Sequence, residues 1–124
     1  MSKRDDLLLL QDMLESANKI KKYTKNLDYE KFIKDDKTVD ATVRNFEIIG
    51  EAANRIDPAF KAQNPDIEWE KMRGFRNRIV HAYFGIDYKI VWSIIENNLE
   101  GLIYQLEALI EDYEEKWTRD KNKI

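Results

Sequence analysis

Residues 39–56, VDATVRNFEIIGEAANRI, decide the fold because their apolar side chains recur every three or four positions. That spacing places them on one face of a helix with about 3.6 residues per turn. Thr38 suits the N-cap of this helix, and Asp57-Pro58 suits its end. Small side chains on the same face allow a second helix to approach closely. The apolar stripe comprises Val39, Val43, Phe46, Ile49, Gly50, Ala53 and Ile56.

Helical patterns also precede this segment. Residues 5–25 predict a first helix, and the acidic Asp5 and Asp6 suit its N-terminus. Residues 29–33 predict one further short turn of helix before the second long helix begins. The stripe of the first helix comprises Leu7, Leu10, Leu14, Ala17 and Ile20.

Two more helices are predicted after an irregular connection over residues 57–68. The third helix covers residues 69–84, and Gly85 suits a left-handed cap at its C-terminus. Asp87 suits the N-cap of a last helix over residues 88–117.

These lengths and short loops predict one domain over residues 1–124, with a frayed tail at about 118–124. The fold class is all-α, an up-and-down four-helix bundle with a short extra helix. The last helix carries more apolar side chains than one bundle needs, which predicts a helix-mediated homodimer. The apolar set in question is Ile94, Ile95, Leu99, Leu102, Ile103 and Leu106.

Composition excludes several classes of site. The 124 residues include no cysteine, which excludes disulfide scaffolds, thiol nucleophiles and iron–sulfur clusters. A single histidine excludes a metal site built on paired imidazoles within one chain. We therefore expect no metal and no cofactor. No apolar run approaches the ~18 residues of a membrane span, so we expect a cytoplasmic protein without a membrane segment.

The charge is unevenly distributed. Twenty-one basic and 24 acidic residues give a net charge of −3, yet residues 71–89 carry five bases against Asp87 alone. Residues 96–115 carry seven acids and no base, which is typical of a solvated helix face. The basic segment is what the phosphate backbone of a nucleic acid would seek. Its bases are Lys71, Arg73, Arg76, Arg78 and Lys89.

His81 lies in this basic segment, and a histidine exchanges protons near neutral pH. With an arginine to stabilise phosphate charge, it suffices for cleavage of RNA through its 2′-OH. On a continuous helix Arg76 and His81 would lie about 140° apart, whereas Asn77 would share the histidine's face and Arg78 would lie about 60° away. A two-fold dimer could instead unite the motifs of two chains in one cleft. The alternative is a histidine that only binds a backbone carbonyl or the helix dipole, beside solvent-exposed arginines.

The sequence resembles the HepT-like toxins (the DUF86 family) of the HEPN superfamily. The resemblance rests on Arg76, four intervening residues, His81, one residue and Tyr83, the family's Arg-x4-His-x-Tyr signature. The blocks RNFEIIGEAANRI (residues 44–56) and WEKMRGFRNRIVHAYFGIDYKIVW (residues 69–92) also look like that family. The resemblance covers nearly the whole chain, and the motif shows no departure.

The resemblance implies a metal-independent endoribonuclease, the toxin of a type VII-like toxin–antitoxin pair. It implies Arg76 and His81 as catalytic residues and Asn77 as the residue that organises the site. It also implies a homodimer with both motifs at a shared cleft. A small nucleotidyltransferase antitoxin would silence the toxin by transferring AMP to Tyr83.

Other residues follow less directly. Arg73 and Arg78 add positive charge that favours contact with RNA. Polar residues of the second helix, Arg44, Glu47 and Glu51, are expected near the site, with ordinary surface salt bridges as an equal alternative. The RNA target, whether tRNA or mRNA, stays open. Two rival interpretations are a non-catalytic docking partner of a nucleotidyltransferase and a purely structural helical dimer.

Overall fold

A computed structural model describes residues 3–81 and 85–121, and these residues confirm the all-α prediction. Within those two ranges the chain forms eight helices and one short antiparallel hairpin. None of these helices is long and apolar enough to cross a membrane. The elements are α1 (Lys3–Thr24), α2 (Tyr29–Lys34), α3 (Asp36–Arg55), α4 (Pro58–Gln63), α5 (Trp69–Arg73), α6 (Phe75–Ile79), β1 (Val80–His81), β2 (Gly85–Ile86), α7 (Tyr88–Asn97) and α8 (Leu99–Lys121).

Helix α3 occupies the centre of the packing. It contacts α1, α2, α5 and α6, while α1 also packs against α8 and α7 against α6 and α8. The predicted stripe of α3 is buried, and Phe46 and Ile49 are fully inaccessible to solvent. Each such side chain stabilises the fold by about 1.5–3 kcal/mol through burial of apolar surface.

The close helix approach predicted at Gly50 is confirmed. A Cβ atom at this position would lie 2.8 Å from the backbone carbonyl oxygen of Met72 in α5. Nearby, Phe46 of α3 meets Phe75 of α6 edge to face, with ring centroids 5.2 Å apart. Helix α3 therefore fixes the position of α5 and α6, which carry most of the basic segment.

The N-cap of α3 is Asp35, so the prediction of Thr38 was wrong. One carboxylate oxygen of Asp35 accepts a hydrogen bond from the Thr38 amide at 3.1 Å, and the other accepts one from the Thr38 hydroxyl at 2.7 Å. Both hydrogen bonds hold the pKa of the Asp35 carboxyl below its usual value, and the bond from the Thr38 hydroxyl has the larger effect. Aspartate supplies two acceptors, which lets it take the cap position three residues earlier.

The connection over residues 57–68 was predicted to be irregular. It instead contains the short helix α4. Asp57 caps this helix by accepting a hydrogen bond from the Ala59 amide at 2.9 Å, and Pro58 occupies the first turn. Proline fits there because its missing N–H has no partner in the helix in any case. The Asp57 amide also donates to the buried carboxylate of Asp6 at 3.1 Å, which ties the connection to α1.

The predicted third helix over residues 69–84 is wrong at its C-terminal end. Gly74 separates α5 from α6, and the helix stops at Ile79. The chain then forms β1, in which His81 pairs with Gly85 of β2. Gly85 has the positive φ expected of it, 75°, but it serves the hairpin and not a helix cap.

The predicted last helix is two helices, since Asn98 interrupts it between α7 and α8. Helix α8 continues to Lys121, so residues 118–121 of the predicted frayed tail are helical, and residues 122–124 of that prediction lie outside the described residues. The apolar excess that predicted a dimer is largely hidden within one chain. Ile94, Leu99, Ile103 and Leu106 are buried, and Ile95 and Leu102 are half-buried. The apolar side chains of the last helix therefore no longer support the homodimer, which stays a prediction.

Candidate active site

Helix α6 presents two of the three arginines of the basic segment to solvent. Phe75 and Ile79, four positions apart, anchor the helix in the core. Arg76, Asn77 and Arg78 lie between these anchors, and all three are exposed. The apolar spacing of the helix therefore decides which side chains can meet a substrate.

His81 follows α6 on strand β1. The alternation of a strand leaves Val80 half-buried and turns His81 outward, with 45% of its side chain exposed. The helical geometry predicted for this histidine was wrong because α6 ends at Ile79. Asn77 and His81 therefore do not share the face of one helix.

Asp87 is the side chain that contacts His81. Nε2 of His81 lies 3.3 Å from Oδ2 of Asp87, whose side chain is 30% exposed. The other oxygen, Oδ1, accepts a hydrogen bond from the Ile90 amide at 3.1 Å and so caps α7, as predicted. The Asp87 amide donates to the Ile79 carbonyl at 2.7 Å. Asp87 thus joins the end of α6, the hairpin and the start of α7.

An open surface depression of about 440 Å³ surrounds this pair. Its size is within the range of small-molecule sites, although it is wide open to solvent. Tyr29, from the first turn of α2, and Tyr88 and Lys89, from the first turn of α7, contribute aromatic and cationic side chains. The lining residues are Tyr29, His81, Gly85, Ile86, Asp87, Tyr88 and Lys89.

The bases of this region divide into paired and unpaired groups. Lys71 forms an ion pair with Glu68, and Arg73 lies 3.7 Å from a carboxylate oxygen of Glu70. Among the described residues, no acid forms an ion pair with Arg76, Arg78 or Lys89. Lys89 lines the depression around His81, and Arg76 and Arg78 lie on α6, the helix that precedes this histidine, so all three exposed cations remain available to an anionic substrate.

The structure brings together only part of the predicted site. No hydrogen bond or ion pair between described residues joins Arg76 or Asn77 to His81. Tyr83 lies outside the described residues. Of the predicted α3 residues, Arg44 and Glu51 are exposed and Glu47 is half-buried, and no hydrogen bond or ion pair within the described residues joins any of them to His81.

Sequence reasoning assigned Asp87 only the cap and missed its contact with His81. The hairpin register explains the contact. Because His81 pairs with Gly85, Asp87 lies diagonally across the ribbon on the same face as the histidine. The signal in the sequence was Gly85 with the β-branched Ile79-Val80 before it and Ile86 after it, but Met72, Phe75 and Ile79 continue a helical spacing that obscured this signal.

Comparison with known proteins identifies the family. The model of the family described as "Ribonuclease HepT-like" matches residues 13–109. A Methanocaldococcus jannaschii protein named "Putative RNase MJ1380" is 41% identical over 109 residues, which are 88% of this chain and 100% of that protein. A Thermococcus cleftensis protein named "Probable ribonuclease HepT" is 36% identical over 107 residues, 86% of this chain and 97% of the relative. No solved structure matches. The chain belongs to the HepT-like ribonuclease family.

Proposed function

We propose that this protein is a metal-independent endoribonuclease with His81 and Arg76 as its catalytic residues. One observation supports this most: the only histidine in the sequence is exposed in an open depression, is contacted by a carboxylate and follows a helix that exposes two arginines. An imidazole beside guanidinium groups provides both the proton transfer and the charge stabilisation that phosphodiester cleavage requires.

The reaction uses the substrate's own 2′-oxygen as nucleophile. His81 accepts the 2′-OH proton while the 2′-oxygen bonds to the adjacent phosphorus. The bond from phosphorus to the 5′-oxygen breaks, and the histidine returns the proton to that leaving oxygen. Arg76 stabilises the negative charge on the non-bridging oxygens, with Asn77 organising the site and Arg73 and Arg78 binding flanking phosphates. The products are a 2′,3′-cyclic phosphate and a 5′-hydroxyl.

Partners and regulation are part of the proposal. The protein acts as the toxin of a toxin–antitoxin pair, as a homodimer whose two motifs share a cleft. A nucleotidyltransferase neutralises it by transferring AMP to Tyr83, two residues after His81. The added phosphate would bring negative charge within two residues of His81, where it would compete with a substrate phosphate for the nearby cations.

Cleavage by the purified protein tests the enzymatic assignment. A labelled RNA should be cut in EDTA, and the same sequence with a single 2′-deoxy nucleotide at the cleavage site should resist. His81→Ala should abolish cleavage, and Arg76→Ala should lower the rate by about 10²–10³-fold. Arg119→Ala, which removes an exposed arginine from α8, is the matched control and should cleave normally. Binding of RNA without turnover by wild type would contradict the enzyme and favour the docking module.

Intact-mass analysis tests the modification. Incubation with the partner transferase and ATP should add AMP units to the wild-type chain and none to Tyr83→Phe. The control variant Tyr104→Phe, altered at an exposed tyrosine of α8, should still be modified. Equal modification of Tyr83→Phe would show that another residue is the acceptor.

A further inference from the structure

Asp87 faces His81 with one carboxylate oxygen and α7 with the other. Oδ1 accepts from the Ile90 amide at 3.1 Å, while Oδ2 lies 3.3 Å from Nε2 of His81. Capping needs only one acceptor, and an asparagine or serine would cap as well. The cap on α7 therefore does not require the second oxygen, Oδ2, to lie beside His81.

The surroundings of the pair restrict its geometry. The amide of Asp87 is fixed on the Ile79 carbonyl at 2.7 Å, so the residue is held from both the α6 side and the α7 side. His81 is held by the pairing of Val80 with Ile86 and of His81 with Gly85. These contacts hold the two backbones side by side, and the Ile90 amide also holds the Asp87 carboxylate, so the carboxylate is kept next to the imidazole.

We propose that Asp87 is a positioning residue that fixes the tautomer and orientation of His81. The neutral imidazole keeps its proton on Nε2, directed at the Asp87 carboxylate, and Nδ1 is the nitrogen that accepts the 2′-OH proton. When the histidine becomes charged in the reaction, the same carboxylate stabilises it. The catalytic part of this inference rests on the proposed ribonuclease function. The tautomer assignment does not.

The test uses Asp87→Asn, which keeps the cap on α7 and removes the charge facing His81. Asp87→Ser is a second cap-competent variant in case the asparagine variant fails to fold. The control is Asp35→Asn, which makes the same change at the N-cap of α3, where no histidine contacts the carboxylate. Thermal unfolding should show all three folded.

The first readout is ¹⁵N NMR of the imidazole, which gives one unambiguous pair of signals because the chain has one histidine. In wild type and Asp35→Asn, the neutral ring should be protonated at Nε2. Asp87→Asn and Asp87→Ser should show a mixture of tautomers. A wild-type ring protonated at Nδ1, or the same tautomer in all proteins, would overturn the proposal. This readout stands even if the protein cleaves no RNA.

The second readout is RNA cleavage at saturating and at limiting substrate. Both Asp87 variants should lower kcat by at least about tenfold while KM stays within about twofold, because positioning acts on the proton transfer and not on binding. Asp35→Asn should retain the wild-type kcat. Unchanged kcat in folded Asp87→Asn would show that the residue only caps α7. Absence of cleavage by wild type itself would refute the ribonuclease, separately from the tautomer result.

Discussion

Tyr113 shows how surroundings set the chemistry of a single side chain. It packs against Phe60 with ring centroids 5.5 Å apart, and only 9% of it is exposed. Burial, which has the largest effect, and the negative charges of Asp6 and Asp5 raise the pKa of its hydroxyl from 10.0 to about 12. Both causes disfavour the anionic form, so the folded protein holds this proton more tightly than the unfolded chain does.

This difference predicts a loss of stability at alkaline pH. Between pH 10.0 and about 12 the unfolded chain loses the Tyr113 proton while the folded protein keeps it, so the free energy of unfolding should fall by about 2–3 kcal/mol. Denaturant unfolding across this pH range gives the slope of the free energy of unfolding against pH. The contribution of Tyr113 to that slope should be present in wild type and absent in Tyr113→Phe. Tyr104→Phe, altered at a 76% exposed tyrosine, should keep the wild-type slope. The same slope in Tyr113→Phe would assign it to other groups.

At the scale of the elements, the helices α1 and α3, which have long apolar stripes, were predicted correctly from the sequence, whereas the short strands were not. The positions of α1, α2 and α3 were predicted from their spacing, and the approach at Gly50 from its small side chain. The hairpin was missed because each strand has only two residues, too few for an alternating pattern. Its existence depends on the pairing of His81 with Gly85, which spacing within one segment cannot reveal.

Start and stop signals account for two further errors. Asp57-Pro58 predicted the end of α3, yet the same pair is an N-cap followed by a first-turn proline, which begins α4. The partner of His81 was missed for a related reason. Once Asp87 was explained as a cap, nothing in the sequence required its second carboxylate oxygen to have a role.

The α3–α5 contact predicts opposite effects for two glycine substitutions. Gly50→Ala places a methyl group 2.8 Å from the Met72 carbonyl, so the helices must separate, which should destabilise the fold by about 1–3 kcal/mol. Gly101→Ala, in α8 with no atom within 4 Å of the added carbon, should be neutral or stabilise by about 0.5–1 kcal/mol. Thermal unfolding compares the two. Equal stability of both variants would show that α3 and α5 adjust without cost.

At the scale of the whole molecule, an acidic protein has one short segment, residues 71–89, in which five bases stand against a single acid. The net charge of −3 opposes general coating of nucleic acid, whereas the exposed Arg76, Arg78 and Lys89 give this segment the positive charge that favours contact with phosphate. No contact between described residues joins Arg76 to His81, which agrees with a site completed by a second chain.

The homodimer is tested by mass in solution. Light scattering at micromolar concentration should give about twice the 14.8 kDa of one chain. If the two motifs share a cleft, mixing His81→Ala with Arg76→Ala chains should restore part of the cleavage that neither variant shows alone. A mass near 14.8 kDa would contradict the shared cleft, and the mixture would then stay inactive.

The most direct test of the central claim is inducible expression of wild type and His81→Ala in a bacterium that lacks the proposed partner transferase, followed by sequencing of RNA ends. Wild type should arrest growth and create new, defined RNA ends, which would also identify the target RNA. His81→Ala, accumulating to the same soluble level, should do neither. Equal arrest and equal new ends in both strains, or neither effect from soluble wild type, would contradict a ribonuclease that depends on His81.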